Sequence, residues 1–199
     1  MLEKNLHFIL LEQNKKHYIL TKEKSVFEIK SEKHFIKKYE KNKFYKTIIL
    51  DEEEDINQKD LNLFFDYINN FKDKMMTVYG DKYLFGSIAV KTDNGFITTL
   101  RGKENLESYV LVKSVDHKSR IIHTIKNKAT LNAPLLDNCF KNKKVKAIVH
   151  LNHNFDEHLK TYLYAFPGTI KDSLRKNKTS FNIAHHGLIY LFDENGNLL

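Results

Sequence analysis

The alternation of apolar and polar residues predicts a strand-rich beginning for this chain. Two apolar runs, 6–11 and 17–20, flank a polar, turn-like segment and therefore indicate a β-hairpin. Val26–Ile29 is a candidate third strand, and the apolar run 47–50 is typical of a buried strand. These segments predict several short strands within the first fifty residues.

Two segments of the first eighty residues carry apolar side chains at helical spacing. Residues 31–43 follow this pattern behind Ser31, a residue type favoured at helix N-termini. The acidic run 51–55 is expected to be a solvated loop, and a second helix is predicted over 58–79. Its apolar face, which we assign to the core and not to a cofactor site, consists of Leu61, Phe64, Phe65, Ile68, Phe71, Met75 and Met76.

The pattern changes to short strands after residue 85. Segments 86–91 and 96–100 flank an Asn-Gly turn, which predicts a tight hairpin because these residue types adopt positive φ angles readily. Strands are also predicted over 108–115 and 120–125, and a closing strand pair or bent strand is predicted over 181–192.

Three more helices and a buried strand are predicted between these strands. A helix over 134–140 begins with proline, which suits a first helical turn. The apolar run 146–151 predicts a buried strand, and helices are predicted over 154–163 and 169–176.

Composition indicates a globular, cytoplasmic protein. The 199 residues are 41% hydrophobic and 29% charged, and Cys139 is the only cysteine, so no internal disulfide can form. No apolar run approaches the roughly 20 residues of a membrane helix. The first residues also lack the small-residue cleavage site of a signal peptide. We therefore expect no membrane association.

The charge pattern does not favour nucleic acid as a partner. The chain has 33 basic and 25 acidic residues and a net charge of +8, but its lysines are dispersed and not clustered. A lysine-rich solvated surface is the simpler interpretation. A polyanion-binding protein remains an alternative, and it predicts an affinity that falls steeply with salt.

Two histidine-bearing segments are the main candidates for chemistry. On a strand, His150 and Asn152 would share one face, and His153 follows directly. The second segment contains His185 and His186. Imidazoles from two strands can converge on a divalent metal such as zinc, although incidental histidines are the alternative interpretation.

The order of short motifs resembles the class II aldolase/adducin family over about residues 58–192. The matching segments, in family order, are GSIAVK (86–91), GFITTLRGK (95–103), TLNAPLLDNCF (130–140), AIVHLN (147–152), FPGTIKDSL (166–174) and AHHGLI (184–189). The resemblance implies an α/β/α sandwich with a mainly antiparallel central sheet, assembled as a homo-oligomer. Residues 56–199 would form this domain without the family's usual C-terminal helices, and residues 1–55 would be an α+β extension.

The resemblance also implies a metal site, which this sequence matches only in part. Family members hold a divalent ion, most often zinc, with three histidines. His150 and His186 match two of them, and the remaining position falls on Asn152, with His153 one residue further on. The family's catalytic glutamate falls on Asn132, which cannot take up a proton at neutral pH.

The family's anion-binding positions are also altered. The asparagine that holds the substrate phosphate corresponds to Ser87, and the hydroxyl–glycine pair corresponds to Arg101 and Gly102. Thr130 keeps a hydroxyl at the first serine position. Arg101 could bind a phosphate or carboxylate through its guanidinium group.

Two functions follow from the resemblance, beside the polyanion alternative. In the first, the protein has lost ordinary aldolase chemistry and acts as a binding or oligomeric module that keeps an anion or metal pocket. In the second, it is a divergent metal-dependent lyase or epimerase acting on a phosphorylated or anionic sugar. Its acid–base group would then be Asp137 or Tyr190.

Overall fold

The computed structural model describes residues 44–75, 84–152, 155–162, 173, 178–183 and 186–199, and the backbone of four strands near the N-terminus. These strands are β1 (Leu2–Asn5), β2 (Phe8–Gln13), β3 (Lys16–Thr21) and β4 (Val26–Ile29). They pair in sequence order as an antiparallel sheet. The predicted hairpin and third strand are confirmed, whereas the helix predicted over 31–43 lies outside the described residues.

The other strands of the described residues form one sheet of nine. They are β5 (Lys46–Leu50), β6 (Ser87–Thr92), β7 (Gly95–Thr99), β8 (Tyr109–Asp116), β9 (Ile121–Ile125), β10 (Ala147–Asn152), β11 (Lys160–Tyr162), β12 (Phe181–Ile183) and β13 (Gly187–Phe192). Their order across the sheet is β11-β12-β13-β10-β6-β7-β8-β9-β5. Only the outermost pairs at the two edges, β11–β12 and β5–β9, are parallel. The expected mainly antiparallel sheet is therefore confirmed.

The β6–β7 hairpin closes through Asp93 and Asn94, as the sequence predicts. The positive φ angle falls on Gly95, at 132°, and Asn94 does not have one. Gly95, the first residue of β7, therefore provides the positive φ angle of this hairpin.

Helix α1 (Gln58–Phe71) packs on one face of the sheet. The Asn57 side chain caps it by accepting a hydrogen bond of 2.9 Å from the Lys59 backbone N–H. Phe64 and Ile68 are buried against strands β6, β7 and β10. The α-helix ends earlier than predicted, since a 3₁₀ turn follows over Lys72–Lys74.

Helix α2 (Ala133–Phe140) packs against the opposite face. Successive side chains of β10 point to opposite faces of the sheet. Ile148 belongs to the apolar cluster under α2, and Val149 belongs to the cluster under α1. Leu135 and Leu136 of α2 are fully buried in the same cluster as Ile148. The described fold is therefore mixed α/β, with a helix on each side of the large sheet.

Two predictions from the apolar pattern are wrong. The run 47–50 lies in β5, at the edge of the sheet, and Ile48 and Ile49 are 44% and 47% exposed. Within the predicted helix 154–163, the described residues contain the short strand β11. Of the helix predicted over 169–176, only residue 173 is described. No described helix is long and apolar enough to cross a membrane.

Candidate functional site

Strand β10 carries the central histidine of the candidate site. It lies between β6 and β13, where His150 is directly opposite Ser87 on one side and Ile189 on the other. Directly opposed residues of neighbouring strands present their side chains on the same face. His150 and Ser87 therefore face the side covered by helix α2, and both are fully buried.

The structure brings His186 against His150. The two ring centroids are 4.7 Å apart and the rings are nearly perpendicular, at 77°. Gly187, which begins β13 next to His186, has a φ of +150°, and a Cβ there would lie 2.0 Å from the carbonyl oxygen of Leu151. A glycine is needed at this position because any side chain would push β13 away from β10.

Asn132 orients the His150 ring. Its Nδ2 lies 2.9 Å from His150 Nδ1, and its side chain makes no capping bond to helix α2 although it occupies the N-cap position. In this amide orientation Nδ2 donates to Nδ1, which places the ring proton of the neutral imidazole on Nε2. The reverse amide orientation would place the proton on Nδ1 and leave a lone pair on Nε2.

Burial keeps His150 neutral. Desolvation lowers the pKa of His150 well below its ordinary value, and the nearby charges of His186 and Lys103 lower it further. A neutral imidazole at this position can donate or accept a hydrogen bond but brings no charge of its own.

Lys103 is part of this site, although sequence reasoning missed it. It is 8% exposed, and its Nζ donates a hydrogen bond of 2.6 Å to the carbonyl oxygen of Gly86. Gly86 in turn lies against His150, since a Cβ on Gly86 would be 2.8 Å from the His150 carbonyl oxygen. Burial lowers the pKa of Lys103 to about 8. The GFITTLRGK segment contains this lysine, but nothing in its pattern distinguishes it from the chain's many exposed lysines.

Several buried polar atoms around His150 have no hydrogen-bond partner among the described residues. They are Ser87 Oγ, Asn132 Oδ1, His150 Nε2 and Asn152 Oδ1. Buried polar groups are nearly always satisfied by protein, water or ligand. The cluster therefore has unused donors and acceptors suited to a small polar guest.

The predicted anion-binding residues separate into two groups. Ser87 and Thr130 are buried, and the Thr130 hydroxyl accepts a weak hydrogen bond of 3.4 Å from the backbone N–H of Asn132. Arg101 and Gly102 lie in the exposed turn after β7. The structure thus brings Ser87 and Thr130 to the buried cluster and leaves Arg101 and Gly102 at the surface.

The two substitute acid–base residues do not face His150. The Asp137 carboxylate pairs with His117 Nε2 at 2.8 Å and with Lys141 at 3.6 Å, in a separate polar group. Tyr190 lies opposite Val149 in the β10–β13 register and packs against Phe71 on the α1 side of the sheet. Neither residue is placed to move a proton at the His150 cluster.

The described residues do not fit a three-ligand zinc centre. No group of three His, Cys, Asp or Glu side chains within the described ranges is arranged to hold a metal. With Asn132 Nδ2 turned toward Nδ1, the His150 ring proton is on Nε2, and Lys103 contributes a positive charge nearby. His153, the third predicted ligand, lies outside the described residues.

Comparisons with known proteins found no matching family model and no matching curated protein. The chain is similar in structure to YgbL, a candidate aldolase/epimerase/decarboxylase from Escherichia coli, at 14% identity and a TM-score of 0.47, covering 65% of this chain and 76% of that chain. YgbL from Klebsiella pneumoniae gives 14% identity and a TM-score of 0.46, with coverages of 69% and 80%. The l-fuculose-1-phosphate aldolase of Thermus thermophilus gives 13% identity and a TM-score of 0.46, with coverages of 69% and 82%. Likeness at these scores does not place this chain in a family.

Proposed function

We propose that this protein binds a small anionic molecule at the buried polar cluster around Lys103 and His150, and that it lacks ordinary metal-dependent aldolase chemistry. The observation that carries the proposal is the buried ammonium of Lys103, which has no carboxylate partner among the described residues. An uncompensated buried charge is costly, and an anionic ligand would offset that cost.

The sequence motifs support a class II aldolase/adducin-like ancestry for this pocket. In that interpretation residues 56–199 form an α/β/α sandwich and residues 1–55 an α+β extension, in a cytoplasmic homo-oligomer. Asn132 then stands where the catalytic carboxylate would be, and its amide binds the His150 ring instead of moving a proton.

Anion binding can be tested on protein purified without a histidine tag. We expect inorganic phosphate or glycerol 3-phosphate to raise the unfolding midpoint, and calorimetry to give a dissociation constant. Lys103→Met should weaken binding by about tenfold or more, because a charge-assisted contact is lost. Lys91→Met is the matched control, since Lys91 Nζ also donates to a backbone carbonyl, that of Phe140, at 3.1 Å.

Three outcomes would count against the proposed pocket. The first is no binding of either anion at low salt. The second is equal weakening by Lys103→Met and Lys91→Met, which would indicate general surface charge. The third is an affinity that falls with salt as steeply as nonspecific polyanion binding does, which would favour the polyanion alternative.

A divergent metal-dependent lyase or epimerase is the second candidate. The 4.7 Å distance between the His150 and His186 ring centroids favours this candidate. Two imidazoles that ligate the same ion lie close together in this way. Elemental analysis of untagged protein should then find stoichiometric zinc or another divalent metal. His150→Ala should remove the metal, whereas His158→Ala should not, because His158 is on the surface. Unchanged metal content in His150→Ala would exclude this site.

A further inference from the structure

The amine of Lys103 differs from the other described cationic side chains. Among the described lysines and arginines it alone is less than one tenth exposed. Its hydrogen-bond partner is a neutral carbonyl oxygen, that of Gly86, and no carboxylate of the described residues pairs with it. Buried lysines without a counter-ion are the ones that readily lose their proton and become nucleophiles.

We propose that Lys103 is a nucleophilic amine that condenses reversibly with a small carbonyl compound carrying an anionic group. The inference rests on the proposed pocket and adds a covalent step to it. The amine binds the carbonyl oxygen of Gly86, and the next residue, Ser87, lies opposite His150 on β6 and β10. Ser87 Oγ and His150 Nε2 have no hydrogen-bond partner among the described residues.

The step balances without any oxidant or reductant. The Lys103 Nζ lone pair attacks the carbonyl carbon, the C=O π electrons move to oxygen, and that oxygen takes up a proton to give a carbinolamine. The nitrogen loses one proton, the hydroxyl gains one, and the C–O bond breaks to release water as the C=N bond forms. Ser87 and His150 provide hydrogen bonds to the oxygen that develops charge and then leaves.

The carbonyl compound is expected to be anionic because the positive charge on Lys103 Nζ is retained when the imine forms. A protonated imine at Nζ carries the same single positive charge as the ammonium that it replaces. A carboxylate or phosphate of the ligand would therefore still find a buried cation to pair with.

Borohydride trapping tests the inference directly. The full chain is incubated with pyruvate, glycolaldehyde phosphate or uncharged glycolaldehyde, reduced with sodium borohydride, and digested for peptide mass mapping. We expect a reduced adduct on Lys103 with pyruvate or with glycolaldehyde phosphate, at about tenfold the occupancy of any exposed lysine. Pyruvate and glycolaldehyde phosphate distinguish a carboxylate from a phosphate ligand, and glycolaldehyde should label Lys103 less.

Two variants keep the result interpretable. Lys103→Arg keeps the charge but should abolish the site-specific adduct, whereas Lys91→Met should retain it. Adducts spread evenly over surface lysines, or no adduct on Lys103 with any of the three compounds, would overturn the inference. If Lys103 fails to trap a carbonyl but phosphate binding still depends on it, the inference is wrong and the proposed pocket stands. If neither occurs, both are wrong.

Discussion

At the scale of single residues, the candidate site depends on which atom of His150 carries the ring proton. With Asn132 Nδ2 turned toward Nδ1, the ring proton is on Nε2, and that nitrogen would have to lose it before it could ligate a metal. A carboxylate at position 132 could only accept from Nδ1–H and would leave the Nε2 lone pair available. An amide at position 132 is therefore compatible with either tautomer of the ring, whereas a carboxylate there would favour the tautomer that suits a cation.

We predict that Asn132→Asp raises the affinity of the protein for zinc by about tenfold, because a carboxylate fixes the metal-binding tautomer of His150 and adds negative charge. Chelator-competition titrations would measure the change. Asn132→Ala removes the amide without fixing the tautomer and should not gain affinity. Equal zinc affinity in the wild type and Asn132→Asp would show that Asn132 does not control the ring.

Lys103 should make stability depend on pH. Its folded-state pKa of about 8 lies below the ordinary lysine value of about 10.4. The unfolded chain therefore binds more protons than the folded chain between these two values, so stability rises as pH increases through this window. The cost of burying the charged form is fully present below pH 8 and is about 3 kcal/mol at most.

We accordingly predict that Lys103→Met is more stable than the wild type at pH 7 and that the difference shrinks by pH 10. Urea unfolding at both pH values measures it. Lys91→Met controls for the loss of a lysine that binds a backbone carbonyl. If the free energies of unfolding of Lys103→Met and the wild type differ by the same amount at pH 7 and pH 10, the lowered pKa of Lys103 is wrong.

At the scale of elements, the apolar pattern predicted the strands that hold the site. Strand β10 was expected over 146–151 from its continuous apolar run, and α2 was expected from its apolar face and proline. The edge position of β5 could not be predicted, because TIIL has the composition of a central strand and only the sheet order shows which strand has one neighbour. The short strand β11 was also missed, since its three residues, KTY, are too few to show an alternation of apolar and polar side chains.

The β10–β13 junction should be intolerant of a side chain at its start. We predict that Gly187→Ala destabilises the protein by about 3 kcal/mol or more, because its Cβ would collide with backbone and its φ is positive. Gly196→Ala is the matched control, since its φ is also positive, at +78°, but no atom lies within 4 Å of the added Cβ. It should cost about 1 kcal/mol. Thermal unfolding of both variants measures the difference, and similar midpoints would show that β13 can shift freely.

At the scale of the whole molecule, the histidine segments suggested a shared site for His150 and His186, but only the resemblance placed Asn132 with them. Each comes from a different element, and periodicity cannot bring together residues that are far apart in the chain. The same limit explains why Lys103 was missed and why Asp137 and Tyr190 were placed in the site. Helical and strand spacing show which residues of one element share a face. They do not show which faces of different elements pack together, because that depends on the order of the strands in the sheet.

A long-range ion pair shows how that assembly is stabilised. Lys146, just before β10, pairs with Asp60 of α1 at 2.7 Å and also donates to the Lys91 carbonyl oxygen at 2.7 Å. Asp60 is buried, so removing its partner would leave a carboxylate without compensation. We predict that Lys146→Met destabilises the protein by about 3 kcal/mol in urea unfolding.

The matched control is Lys141→Met, which breaks the more exposed pair with Asp137 and should cost less than about 1 kcal/mol. The double variant Asp60→Asn/Lys146→Met should recover part of the loss, because no unpaired buried charge remains. If Lys146→Met and Lys141→Met cost the same, the Asp60 carboxylate is solvated in the folded protein. In that case α1 would be held on the sheet by its apolar face, chiefly Phe64 and Ile68, and not by this ion pair.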